Sequence, residues 1–64
     1  MVVKTSFGKI SASKDVLNYI FLMMNEASES YNSRGRSSLS KQSLNDANAI
    51  YEALNAVGFY DNVK

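Results

Sequence analysis

The chain has no cysteine and no histidine, and tryptophan and proline are missing as well. Without thiols or imidazoles it offers no thiolate or imidazole site for zinc, haem or an iron–sulfur cluster. Without cysteine it forms no disulfide, so nothing points to an oxidising compartment. An excess of one charge is also lacking. Seven Lys and Arg stand against six Asp and Glu, a formal net charge of +1. A balance this close to neutral gives no strong electrostatic hold on nucleic acid or an anionic membrane. Long apolar runs are absent too. The longest is Tyr19-Ile20-Phe21-Leu22-Met23-Met24, whereas a membrane-spanning helix needs about 20 such residues. That run reads as a buried helix segment. The N-terminus lacks the basic, apolar, small-residue order of a signal peptide. The expectation is a cytoplasmic protein with no membrane partner.

With 64 residues, the chain is too short for a second domain. A domain this small buries only about 60% of the surface its unfolded chain exposes. Small scaffolds commonly rely on a disulfide, a metal or a partner chain. The first is impossible here and the second has no soft ligands. Self-association is therefore expected, with a symmetric dimer as the commonest closed solution.

Residues 2–11 read as an extended arm or a short hairpin. Val2, Val3, Thr5, Phe7 and Ile10 favour strand, and period two places Val3, Thr5 and Phe7 on one face. Gly8 marks either a bulge or a tight turn that folds Lys9-Ile10-Ser11 back as a second strand. A helix is expected over 13–32. Ser11 or Ser13 is its N-cap candidate, and Asp15 falls in the first turn, where the helix dipole favours negative charge. Val16, Leu17, Ile20, Phe21, Met24, Ala27 and Tyr31 recur at three- and four-residue steps as one apolar face. Leu22 and Met23 fall partly off it, so the middle of this helix is apolar most of the way round. Contacts on two sides follow from that.

Residues 33–39 read as a loop, built on Arg34-Gly35-Arg36 and flanking serines. A second helix is expected over 40–57. Ser40 is its cap candidate, with Leu39 and Leu44 as a hydrophobic staple. Leu44, Ala47, Ile50 or Tyr51, Leu54 and Val57 form its apolar stripe. Gly58 closes it in the left-handed conformation, and Phe59 is placed to contact Leu54. Residues 58–64 form a tail. The expected architecture is mainly α, of α+β type: an N-terminal β-strand or β-hairpin followed by an antiparallel two-helix hairpin, in one domain.

Three groups of residues carry candidate chemistry. Arg34, Arg36 and Lys41, with nearby hydroxyls and helix amides, form a candidate anion or partner contact. The bland alternative is a solvated basic loop. A helix-turn-helix reader of DNA needs a turn of about 3–4 residues, shorter than this loop. Gln42 and Asn45 could read bases, but Asp46 and Glu52 would repel phosphates. Residues 1–36 carry +2 and residues 37–64 carry −1, so the reading helix would sit in the acidic half. Lys4, Lys9 and Lys14 on the arm fit an edge protected from aggregation better than a nucleic-acid contact.

Glu26 and Glu29 share a helix face, where a pair can hold a cation or act in acid–base work; two solvated carboxylates are the simpler reading. Ten serines supply hydroxyls, but with no histidine and no Ser–Lys motif none is activated. No catalytic, cofactor-binding or metal-binding residue is assigned, and an enzyme is not expected. The third group is apolar and aromatic. Leu22, Met23, Tyr51, Phe59 and Tyr60 are the candidate protein interface, since tyrosine is a favoured interface anchor. The alternative is that the rings seal the end of a small core.

The pattern Ile50-Tyr51-Glu52-Ala53-Leu54, then Gly58-Phe59-Tyr60-Asp61, follows Met24-Asn25-Glu26-Ala27 and the Ser/Asn-rich loop. In this it resembles small accessory proteins carried by bacteriophages and prophages of Gram-positive bacteria. The resemblance covers about the last 40 residues and is to a style of sequence and a helix-end motif, with no functional residue to transfer. It implies a compact protein without cofactors that binds a host protein, in some cases a component of a defence system. Together with the residues, it leads to the expectation of a small non-catalytic binding module that inhibits or redirects a larger host protein. The alternatives are a nucleic-acid-binding regulator using the basic loop and arm, and a structural assembly component.

Overall fold

The N-terminal segment folds back on itself. In the computed structural model, which describes residues 1–61, β1 (Val2–Thr5) pairs antiparallel with β2 (Gly8–Ser11). Val3 stands opposite Ile10, and Lys4 opposite Lys9. The N-terminal amine extends the ladder by donating to the Ala12 carbonyl at 3.1 Å, and the Ala12 amide donates to the Met1 carbonyl at 3.0 Å. Ser6 and Phe7 form the turn. Thr5 tightens it, its hydroxyl accepting from the Phe7 amide at 3.1 Å and donating to the Gly8 carbonyl at 3.0 Å. Phe7 therefore does not share a strand face with Val3. It sits at the hairpin tip and points away from the core, because the alternation stops at Thr5.

Helix α1 (Lys14–Ser33) starts at Ser13, whose hydroxyl accepts from the Val16 amide at 3.3 Å. Asp15 lies in the first turn. Its end is set by Gly35. With φ at +74°, Gly35 donates its amide to Asn32 O at 3.1 Å, and Arg36 donates to Tyr31 O at 2.9 Å. This is the Schellman ending, which needs a left-handed residue that glycine adopts without steric cost. Helix α2 (Ser37–Ala56) ends the same way: Gly58, also at +74°, donates to Asn55 O, and Phe59 donates to Leu54 O, both at 3.0 Å.

Two expectations change here. The connection is Arg34 to Arg36, not residues 33–39, and α2 begins at Ser37, not Ser40. The glycine ends α1 so abruptly that the next helix starts two residues later. Ser40 is therefore inside α2 and caps nothing. Leu39 and Leu44 lie within the helix and are exposed, so they form no staple across its start. Of the expected tail, residues 62–64 lie outside the described residues.

Helix α2 is the central element. The hairpin lies against it through β1, and α1 packs along it. Val3, Leu17, Ile50 and Leu54 form the core, with Ala47 also fully buried. Ile10, Ile20, Phe21, Met24, Phe59 and Tyr60 pack around it. Near the connection the two helices are pinned by a serine pair. Ser40 donates its hydroxyl to the Ser28 carbonyl at 2.9 Å, the Ser28 hydroxyl reaches the Ser40 carbonyl at 3.1 Å, and the two hydroxyls are 3.0 Å apart. Small side chains at this crossing let the helix backbones approach. The arrangement measures 36 × 28 × 15 Å. In so thin a body one side of α1 faces α2, and nothing among the described residues covers the other.

Candidate functional site

The exposed side of α1 follows from its own periodicity. Leu17, Phe21, Met24 and Ser28 point toward α2 or its edges. One flank carries Val16, Ile20, Met23 and Ala27; the opposite flank carries Asn18 and Leu22. Val16, Tyr19, Leu22 and Met23 all remain about half exposed. From Val16 to Asn25 the helix has no ionisable group except the Tyr19 phenol.

On the first flank an open groove of about 280 Å³ runs between α1 and the hairpin tip, lined by Phe7, Ile20, Met23, Met24, Ala27, Tyr31 and Ser43. Two methionines give it adaptable, polarisable walls. Phe7 stands at its edge and is 79% exposed. Its position is fixed from behind. The Asp46 carboxylate, only 5% exposed, accepts the Ser6 amide on Oδ1 at 2.9 Å and the Ser6 hydroxyl on Oδ2. A buried acid on α2 thus holds the residue next to Phe7 by two charge-assisted hydrogen bonds.

On the opposite flank four rings form a chain. Phe21 and Tyr51 have centroids 5.5 Å apart, Tyr51 and Tyr60 5.2 Å, and Phe59 and Tyr60 5.1 Å with the planes at 90°. These spacings suit attractive tilted and edge-to-face pairing. The Tyr60 hydroxyl donates to Asn18 Oδ1 at 2.8 Å, tying the segment after α2 back to α1. Burial, with the neighbouring Tyr51 phenol adding to it, raises the Tyr60 pKa above its ordinary 10.0. Phe59 and Tyr60 are half-buried and seal the core at this end, whereas Tyr51 is 43% exposed. Leu22 lies one turn along from Asn18, on the same side of α1.

The five candidate interface residues thus separate. Met23 belongs to the groove. Tyr51, Phe59 and Tyr60 belong to the ring flank, with Leu22 beside them. Phe7, Ser6 and Asp46 are not legible as site residues from the sequence. The one local signal was a large apolar residue immediately before a turn glycine.

Arg34, Arg36 and Lys41 are all exposed. Gly35, Arg36, Ser37, Ser38 and Leu39 line a shallow depression at the start of α2, where no side chain caps the helix. The connection is three residues long, so turn length is no objection to a helix-turn-helix. Geometry is the objection. Ser28 meets Ser40 near the connection and Phe21 meets Tyr51 further along, so the helices run side by side instead of crossing at the roughly 90–120° of that motif. Glu26 and Glu29 are both exposed. Among the described residues no three His, Cys, Asp or Glu side chains gather into a metal-binding group, and no described helix is long and apolar enough to cross a membrane.

Comparison with protein families, curated proteins and solved structures finds no match. The functional reading therefore rests on the two flanks of α1.

Proposed function

We propose that this chain is a non-catalytic protein-binding module that docks on a larger protein of a bacterial host and inhibits or redirects it. The ring chain Phe21–Tyr51–Tyr60–Phe59, with Leu22 beside it, is the observation that carries this reading. Tyrosine and phenylalanine provide large contact area with few rotatable bonds, and interface energy concentrates in such anchors. The rings hold one another, and Tyr60 is fixed to Asn18, so this surface loses little side-chain freedom on binding. The resemblance to phage accessory proteins supplies the host as the source of the target.

The test is capture from a Gram-positive lysate followed by titration of the purified captured protein. Tyr51→Ala and Leu22→Ala weaken binding, Tyr51→Ala by about 30-fold or more, while the Arg34→Ala/Arg36→Ala variant binds normally. Binding that depends on the arginines and falls steeply with salt would replace this reading with the nucleic-acid or anion-binding one. That second reading is favoured by the uncapped start of α2 between Arg36 and Leu39.

A further inference from the structure

The groove side of α1 is a different surface from the ring flank, and its occupant can be argued separately. We propose that it is covered by a second copy of this chain, related by a two-fold axis, with Phe7 of each copy seated in the groove of the other.

Four observations converge on a second copy. The first is shape. A protruding ring, Phe7, stands directly beside a hollow lined by Ile20, Met23 and Ala27. An isologous interface needs the same patch to be its own complement. A knob next to a hole meets that need, because a two-fold axis passing between them places each knob in the opposite hole. The groove's volume, about 280 Å³, has room for a phenyl ring, and methionine sulfur favours aromatic contact.

The second is charge. None of the described lining residues carries a formal charge, so these parts of two identical faces meet without like-charge repulsion. The third is area. Phe7, Val16, Tyr19 and Met23 are 79%, 48%, 63% and 52% exposed beside the half-buried groove walls, so large apolar side chains stand open along one side of a small chain. A standard interface takes about 800 Å² from each partner, and these open side chains continue the groove's apolar lining into a broader contact face. The fourth is the support behind Phe7. A buried carboxylate is a costly way to hold an exposed turn, and Asp46 holds this one by two hydrogen bonds. A turn whose backbone is held in this way presents Phe7 with little backbone ordering left to lose on docking.

The core gives a reason for pairing. Among the described residues only Val3, Leu17, Ala47, Ile50 and Leu54 are buried hydrophobics, which is little for independent stability at this size.

The experiment is absolute mass by light scattering over a dilution series, for the wild type, Phe7→Ser and Met23→Lys. Both substitutions are at exposed positions, and far-UV circular dichroism checks that the fold persists. The wild type is expected at twice 7.1 kDa at tens of micromolar, and each variant at the monomer mass, with a dimer dissociation constant raised by about 100-fold. A wild type that stays monomeric at hundreds of micromolar overturns the proposal. So does a dimer untouched by both surface variants. Tyr51→Ala leaves the dimer mass unchanged, so this proposal and the target-binding reading fail independently.

Discussion

Asp46 and Ser6, forty residues apart in the chain, are joined by two hydrogen bonds: one carboxylate oxygen takes the Ser6 amide and the other its hydroxyl. This contact decides where the hairpin tip sits. The strands are four residues each, and an isolated two-stranded hairpin is marginal in water. Val3 in the core and Ser6 on Asp46 fix its two ends against α2.

Asp46→Ala leaves the Ser6 amide and hydroxyl unpartnered at the edge of the core. The expected cost is about 2–3 kcal/mol, a large share of the total stability of so small a domain. Ser6→Ala removes only the hydroxyl and costs about 1 kcal/mol. Urea unfolding of the two single variants and the double variant measures the coupling. Additive costs would mean the two residues do not act through each other.

Ser28→Ala and Ser40→Ala each remove one hydroxyl from the reciprocal pair and cost about 1 kcal/mol. The double variant costs less than the sum, because the hydroxyl–hydroxyl contact at 3.0 Å is already lost in each single variant. Ser28→Leu is expected to cost more than Ser28→Ala, since a larger side chain at this buried position forces the helices apart. Thermal unfolding ranks the four.

Gly35→Ala and Gly58→Ala test the paired helix endings. Both glycines sit at φ +74°, where an alanine is strained by about 1–2 kcal/mol. A Cβ on Gly35 meets nothing within 4 Å, and one on Gly58 meets only the end of the Asp61 side chain, at 3.1 Å. The two costs should therefore be similar and set by the backbone. Denaturant midpoints measure both.

Tyr60 gives a pH signature. Its folded pKa is raised above 10.0, by burial first and the Tyr51 phenol second. The unfolded chain then releases this proton at lower pH than the folded one. The contribution is complete below pH 10 and is lost as pH rises through the folded pKa. Unfolding free energy should be level in this respect below pH 10 and decline above it, with a smaller decline in Tyr60→Phe. Denaturant titrations at stepped alkaline pH, paired with tyrosinate absorbance, measure it. An unchanged decline in Tyr60→Phe would assign the effect to other groups.

Local signals in the sequence marked the parts of the fold made by near neighbours. Ser13 reads as a cap because its partner, Val16, is three residues away. Gly58 reads as a helix end because an apolar stripe stops there and Phe59 follows. Gly35 makes the same ending, but serines and arginines surround it, and that setting reads as loop. Ser40 shows the limit of a hydroxyl as a signal: the same group caps a helix or bridges two, and only the opposite helix decides. Asp46 and Phe7 depend on a contact spanning forty residues, which leaves no periodic trace. The apolar excess on α1 was visible from Leu22 and Met23. That these two neighbours belong to different flanks follows from the hairpin and the ring chain, which occupy opposite sides of the helix.

The central claim is that the two flanks of α1 have separate roles, the groove meeting a second copy and the rings remaining free for a target. Backbone amide NMR spectra of the wild type over a dilution series test it most directly. The account predicts concentration-dependent shifts at Phe7, Ile20, Met23, Ala27 and Tyr31, with Tyr51, Phe59 and Tyr60 unmoved. Shifts at the ring residues with none at the groove, or spectra independent of concentration, would contradict it.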